Sequence, residues 1–68
     1  MNEDNLNMEI RKFLKKVGIT SQRIIENHIY EADNKGTIKA GDEIELEMTL
    51  SIKNFQSSNR IDGKIRIE

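Results

Sequence analysis

The apolar residues of this chain change their spacing partway along it. Up to Ala32 they recur every three or four residues, whereas over 44–52, and again over 61–67 apart from Gly63, every second residue is apolar. The first spacing is typical of one face of an α-helix, and the second is typical of one face of a β-strand. The change of period therefore predicts an α+β fold, with helices in the first half of the chain and strands in the second.

The first half is predicted to form two helices that meet at Gly18. The first helix covers residues 5–17 and presents one apolar face, and either Asp4 or Asn5 caps its start. Gly18 then follows as the left-handed residue after the helix, because glycine adopts that conformation without a steric cost. Residues 5–17 are thus expected to end in a sharp turn rather than continue.

The second helix is predicted to begin with Thr20 as its N-cap. Ile19 precedes this cap and packs against Ile24 as a hydrophobic staple, while Gly36 ends the helix. Because the linker between the helices is so short, they form an αα-hairpin or a helix-turn-helix-like corner.

The second half is predicted to form an antiparallel β-hairpin. One strand covers residues 44–52 and the other covers 61–67, with a loop over 54–59. The glutamates on the outer face of the first strand are complementary in charge to Lys64 and Arg66 on the second strand. Two registers of strand pairing remain possible. Both place Glu47 opposite a basic residue. Gly63 interrupts the apolar face of the second strand, which indicates a β-bulge or a close approach there.

These elements predict a two-layer ααββ domain that spans residues 1–68. A lone hairpin is only marginally stable in water, so the apolar helix faces are expected to cover it. Thr37-Ile38-Lys39 adds an optional edge strand, which would make a small three-stranded sheet. A domain of 68 residues buries only about 60% of its unfolded surface, so its stability is expected to be marginal.

Composition restricts the chemistry that this domain can perform. The chain has no cysteine and one histidine, His28, so neither a disulfide nor an ordinary zinc site is expected, and no cofactor is predicted. The formal net charge of −1 provides no overall attraction to nucleic acid or membranes. No apolar run approaches the roughly 20 residues of a membrane span, and the acidic start is unlike a signal peptide. The expected location is the cytoplasm.

One stretch resembles a known family of proteins. Residues 7–23 read NMEIRKFLKKVGITSQR, after a start of Met-Asn-Glu-Asp. The stretch resembles the opening NMxIRKFLKKVGVTSQR of a family of short uncharacterised proteobacterial proteins, which continue into a β-rich C-terminal half. That family is a domain of unknown function. The resemblance implies a compact bacterial cytoplasmic protein and supplies no activity, cofactor or catalytic residue.

A basic group on the first helix is the strongest candidate for a binding surface. This basic group consists of Arg11, Lys12, Lys15 and Lys16, which lie opposite the apolar face. It can meet phosphates, anionic headgroups or an acidic partner, although any amphipathic helix turns charge toward water. Met8 lies on the same side, where a polar residue is expected, and Tyr30 is a candidate interface anchor.

Three other readings of the sequence are weaker. A DNA-binding helix-turn-helix would turn Glu26 and Glu31 toward phosphates and lacks a supporting third helix. His28 has Ile24 and Ala32 one turn away, so we expect a histidine at the edge of the core rather than a general base. The carboxylates from Asp42 to Glu47 lie on a solvated face, where catalysis is not expected.

The sequence therefore predicts a non-enzymatic protein-interaction module, acting as a homodimer or as an accessory subunit of a larger assembly. The reasons are its thin core and the open edge of its hairpin. The alternative is a nucleic-acid or anionic-surface binder that uses the basic group of the first helix.

Overall fold

A computed structural model describes all 68 residues of the chain. The elements follow in the order α1 (Glu3–Asn34), β1 (Glu43–Ile52), a 3₁₀ turn (Lys53–Phe55) and β2 (Ser57–Arg66). The predicted α+β class and the antiparallel hairpin are confirmed. The chain divides into two compact units, Met1–Thr37 and Ile38–Glu68. The single domain and the covering of the sheet by helices stay predictions.

The predicted break at Gly18 is wrong, because α1 runs without interruption through that residue. A glycine inside a helix costs only about 1 kcal/mol relative to alanine, which is too little to stop a long helix. The apolar spacing also stays in phase across the glycine: Val17 and Ile24 are seven residues apart, which is close to two turns. Thr20 is consequently a residue of the helix interior and not an N-cap, and Ile19 forms no staple.

The start of α1 lies earlier than the sequence predicts. Asn2 is the N-cap, and its side-chain oxygen accepts a hydrogen bond of 3.0 Å from the backbone N–H of Asn5. Asp4 and Asn5, the predicted caps, lie inside the helix. Glu3 and Asp4 occupy the first turn, where their negative charge suits the positive end of the helix dipole.

The predicted role of Gly36 at the end of α1 is confirmed. Gly36 has a φ of 71° and follows Lys35, the last residue with helical backbone angles. Its N–H donates to the carbonyl of Asp33 at 3.0 Å, and the N–H of Thr37 donates to the carbonyl of Ala32 at 2.9 Å. These two bonds form a Schellman motif, which ends the helix firmly because it satisfies two of its last carbonyls.

The two strands pair residue by residue, from Glu43 opposite Arg66 to Ile52 opposite Ser57. No bulge occurs at Gly63, which lies opposite Leu46, so the predicted bulge is wrong. An added Cβ at Gly63 would meet nothing within 4 Å, so no close approach requires a glycine there either. The glycine instead leaves an unfilled position on the apolar face of the hairpin.

The connection between the strands is shorter than the predicted loop. It consists of the 3₁₀ turn and Gln56, which has a φ of 50°. Ser57, Ser58 and Asn59, which were expected in the loop, instead continue β2 as partners of Leu50 to Ile52. Small polar side chains are typical of loops, which is why composition predicted a loop here. In the structure these three residues pair at the end of the hairpin next to the turn.

The sheet contains two strands, and Thr37-Ile38-Lys39 does not add a third. The chain turns at Ala40 and Gly41 instead. The backbone N–H of Lys39 donates to the carboxylate of Asp42 at 3.0 Å. Gly41, with a φ of 96°, donates its N–H to the carbonyl of Ile67 at 2.7 Å, and the N–H of Ile67 donates to the carbonyl of Asp42 at 2.9 Å. These bonds continue the hairpin beyond its last ladder pair.

No residue of the chain is buried. Fourteen large apolar side chains are exposed, from 36% at Leu50 to 99% at Met1. The remaining apolar positions, such as Val17 and Ile25 on α1 and Ile44 on β1, are half-buried. A protein interior normally hides such side chains completely, so neither unit by itself contains a buried core.

Candidate interaction surfaces

The first half of α1 carries an uncovered apolar face. Leu6, Ile10, Phe13 and Leu14 lie within one side of the helix because they are spaced by three or four residues. Their exposed fractions are 40%, 47%, 53% and 52%. The sequence analysis assigned these residues to a face that packs on the hairpin, which stays a prediction, and within the unit Met1–Thr37 they are accessible.

Three of the four side chains of the basic group lie together. Arg11, Lys12 and Lys15 line one shallow depression of the helix surface, together with Met8. Lys12 also approaches Glu9, with 3.7 Å between its Nζ and the carboxylate, but both side chains are more than half exposed. Such a pair contributes little, so the cationic groups stay available to a ligand.

Asp4 and Asn7 complete the lining of the same depression. Asp4 places a carboxylate next to the basic group, and this carboxylate opposes the binding of an anion in that position. Lys16 is not part of the depression. The structure thus brings three of the four basic residues together with one acidic residue.

Met8 and Tyr30 lie on the same side of α1. Because the helix is continuous, 22 residues separate them along one axis, which corresponds to about 33 Å. Their exposed fractions are 54% and 61%. Ile19 lies midway between them, three turns from each, and is 48% exposed. The sequence analysis missed Ile19 as a surface residue because it assigned Ile19 to a staple between two helices.

His28 is exposed on the second half of α1 rather than half-hidden at the edge of a core. The helix places Ile24 and Ala32 one turn away on either side, as the spacing predicts. No hydroxyl or carboxylate of the chain forms a hydrogen bond with its ring. A nucleophile–base pair at His28 is therefore not formed.

The outer face of the hairpin carries most of its charges. Glu43 lies opposite Arg66, and Glu45 lies opposite Lys64, as the complementary pattern predicts. The expectation that Glu47 faces a basic residue is wrong. Glu47 faces Asp62, and the nearest cation is Arg60, two residues along β2 from Asp62.

The register explains this difference. The four-residue connection sets which residues pair, and it aligns Ile44 with Ile65 and Met48 with Ile61. Shifting the strands by two residues would place Lys64 opposite Glu47 and would still pair apolar residues, Ile44 with Ile67 and Leu46 with Ile65. The turn between the strands, and not apolar pairing, therefore sets which charges face each other.

Together these features define a class: a small α+β protein with one long amphipathic helix, a two-stranded hairpin and accessible apolar surface on both. The whole chain, residues 1–68, matches the model of the family of unknown function DUF6494, and the protein belongs to that family. The predicted resemblance to an uncharacterised family is thus confirmed.

Comparison with curated proteins gives no significant match, and neither does comparison with solved structures. No helix contains a segment that is both long enough and apolar enough to span a bilayer.

Proposed function

We propose that this protein is a non-enzymatic interaction module of the cytoplasm that covers its apolar surface by binding protein, in the first place a second copy of itself. The observation that carries the proposal is the exposure of large apolar side chains on α1, among them Phe13 at 53% and Ile24 at 54%. Burial of apolar surface is the main force that stabilises folded domains, and neither unit by itself uses that force fully.

The exposed apolar residues also have the character of an interface. Phe13 and Met8 on α1, and Met48 on β1, are of the types enriched in protein–protein contacts. An exposed apolar patch of this kind on a soluble protein usually marks a binding surface. Self-association is the simplest way to cover it, because a second copy is always present at the same concentration.

The oligomeric state tests this proposal directly. Size-exclusion chromatography with light scattering is expected to give a mass of about twice the 7.9 kDa of one chain, or a higher multiple, at high micromolar concentration. Dilution should shift the mass toward the monomer, because association depends on concentration. A protein that remains monomeric at high concentration contradicts self-association.

A role as an accessory subunit is the second form of the same proposal. A pull-down from the native cell, analysed by mass spectrometry with and without nuclease, is expected to recover a protein partner in both samples. A partner that disappears with nuclease would instead indicate an interaction through nucleic acid.

The depression lined by Met8, Arg11, Lys12 and Lys15 favours one alternative, the binding of nucleic acid or another anionic surface through the basic group. Retention on heparin or RNA tests it, and the affinity must then fall steeply with salt, because phosphate contacts release counterions. Lys12→Glu with Lys16→Glu should abolish the retention. The matched control, Lys39→Glu with Lys53→Glu, makes the same change of charge in the second unit and should retain binding.

A further inference from the structure

One line of residues on α1 has the spacing of a coiled-coil seam. We call it the apolar seam, and its members alternate by four and three residues: Leu6, Ile10, Phe13, Val17, Thr20 and Ile24. Leu6, Ile10, Phe13 and Ile24 are 40–54% exposed. Val17 is half-buried, and the other apolar members of the seam are accessible to a partner.

We propose that the apolar seam joins two copies of this chain as an antiparallel helix pair, with Leu6 of one copy facing Ile24 of the other. This inference rests on the proposed function and specifies its partner and its geometry. In this register Ile10 faces Thr20, and Phe13 faces Val17. Each of these pairs occurs twice in the dimer, because the two-fold axis that relates the copies passes close to Lys15.

Charges beside the seam favour this register. Glu9 and Arg23 each precede a seam residue by one position, where side chains flank the interface of a helix pair. In the proposed register Glu9 of each copy faces Arg23 of the other, which gives two opposite-charge contacts. Sliding the copies by two turns would instead bring Lys16 next to Arg23 and place Leu6 against Glu31.

A parallel pair lacks these contacts. It would place Glu31 opposite its own copy within the extended seam, where two carboxylates repel each other. Glu9 would lie beside Leu14 and Arg23 beside His28, so neither would gain a partner of opposite charge. The antiparallel pair has its own repulsive contact, since Lys16 faces its own copy near the two-fold axis. Lys16→Gln is therefore expected to tighten the antiparallel dimer.

Spin labels distinguish the two orientations. The chain has no cysteine, so Asn5→Cys provides a single labelling site on the outer side of α1. The proposed register separates the two labels by 20 residues along the axis, or about 30 Å, whereas a parallel pair leaves no such offset. Pulsed electron paramagnetic resonance should give a mean distance above about 30 Å. A shorter distance in a dimer overturns the antiparallel arrangement and leaves self-association intact.

A charge swap tests the register independently. Glu9→Arg and Arg23→Glu should each weaken the dimer about five-fold, and the double variant should restore its affinity. Gln22→Glu is the matched control for Arg23→Glu, because it adds negative charge one position away on the outer side of the helix. Single variants that do not weaken the dimer, or a double variant that does not recover, would rule out this register.

The two phenylalanines of the chain provide a matched pair for the seam itself. Phe13→Ala should shift the dimer toward monomer by at least ten-fold in Kd, because Phe13 fills a central layer. Phe55→Ala removes an equal side chain from the hairpin turn, where it is 78% exposed, and should leave the mass unchanged. Circular dichroism verifies that α1 persists in both variants. Equal masses for the Phe13→Ala and wild-type proteins would show that the seam is not the interface.

Discussion

Glu47 and Asp62 lie directly opposite each other in the β1–β2 ladder, although both carry negative charge. Arg60 compensates for this contact: its Nη1 lies 4.0 Å from the carboxylate of Glu47, and its Nε lies 3.2 Å from that of Asp62. All three side chains are more than 60% exposed, so water weakens both the repulsion and the compensation. The pair remains the least favourable cross-strand contact of the hairpin.

Asp62→Lys is therefore expected to stabilise the hairpin. The change replaces a like-charge pair by an opposite-charge pair, which is worth a few tenths to about 1 kcal/mol. Urea unfolding at a fixed protein concentration measures it. Asp62→Asn, which removes the repulsion together with the exposed ion pair to Arg60, should fall between wild type and Asp62→Lys. If both variants are less stable than wild type, the pairing of Glu47 with Asp62 is incorrect.

Substitution of two glycines distinguishes one helix from two. Gly18→Ala is expected to stabilise α1 by about 1 kcal/mol, because Gly18 lies in the helix interior and an added Cβ meets nothing within 4 Å. Gly36→Ala should destabilise the end of α1 by about 1 kcal/mol, since Gly36 has a φ of 71°. Thermal unfolding followed by circular dichroism at 222 nm measures both changes. A loss of stability in Gly18→Ala would restore the break at that residue.

Gly63→Val is expected to stabilise β2. It places a β-branched side chain opposite Leu46, in open space and in a regular ladder, and should add about 0.5–1 kcal/mol. Gly41→Val is the matched control: the φ of 96° at Gly41 makes the same substitution strained, and it should destabilise the hairpin. Urea unfolding compares them. Equal destabilisation by both would indicate a special backbone conformation at Gly63 as well.

Asn2→Ala is expected to fray the start of α1. The variant loses the hydrogen bond from the N–H of Asn5 to the side chain of Asn2, and such a cap is worth about 1 kcal/mol. Amide hydrogen exchange should accelerate over residues 3–6 and remain unchanged near Gly36. Asn7→Ala removes the same side chain within the helix and should not accelerate exchange. Unchanged exchange in Asn2→Ala would place the cap elsewhere.

The error at Gly18 has a clear physical origin. A glycine flanked by Lys16 on one side and Thr20 on the other has the local features of a helix end followed by a new N-cap. The phase of the apolar positions across Gly18 was the better guide, because it extends over many residues whereas a cap depends on a few. Gly36 was assigned correctly because the apolar spacing also ends there.

The positions of the candidate interaction residues on α1 were predicted in part. Met8 and the basic residues Arg11, Lys12 and Lys15 do share one side of α1, which follows from their spacing alone. That Tyr30 lies along the same side as Met8 depends on the helix being continuous, so two separate helices could not predict it. The exposure of Phe13 could not be inferred either, since an amphipathic face looks the same whether or not it is covered.

Local periodicity in the amino-acid sequence was sufficient to identify a helical half, a hairpin half and the stop at Gly36, because each depends on neighbouring residues and their backbone preferences. Three features required the folded chain: the continuity of α1 through Gly18, the pairing of Glu47 with Asp62, and the inclusion of Ser57 to Asn59 in β2. The first depends on a balance between local helix-end signals and the apolar phase, and the other two depend on how the strands pair across the hairpin turn. A spacing pattern specifies which side chains share a face, but contacts with the rest of the molecule determine what that face meets.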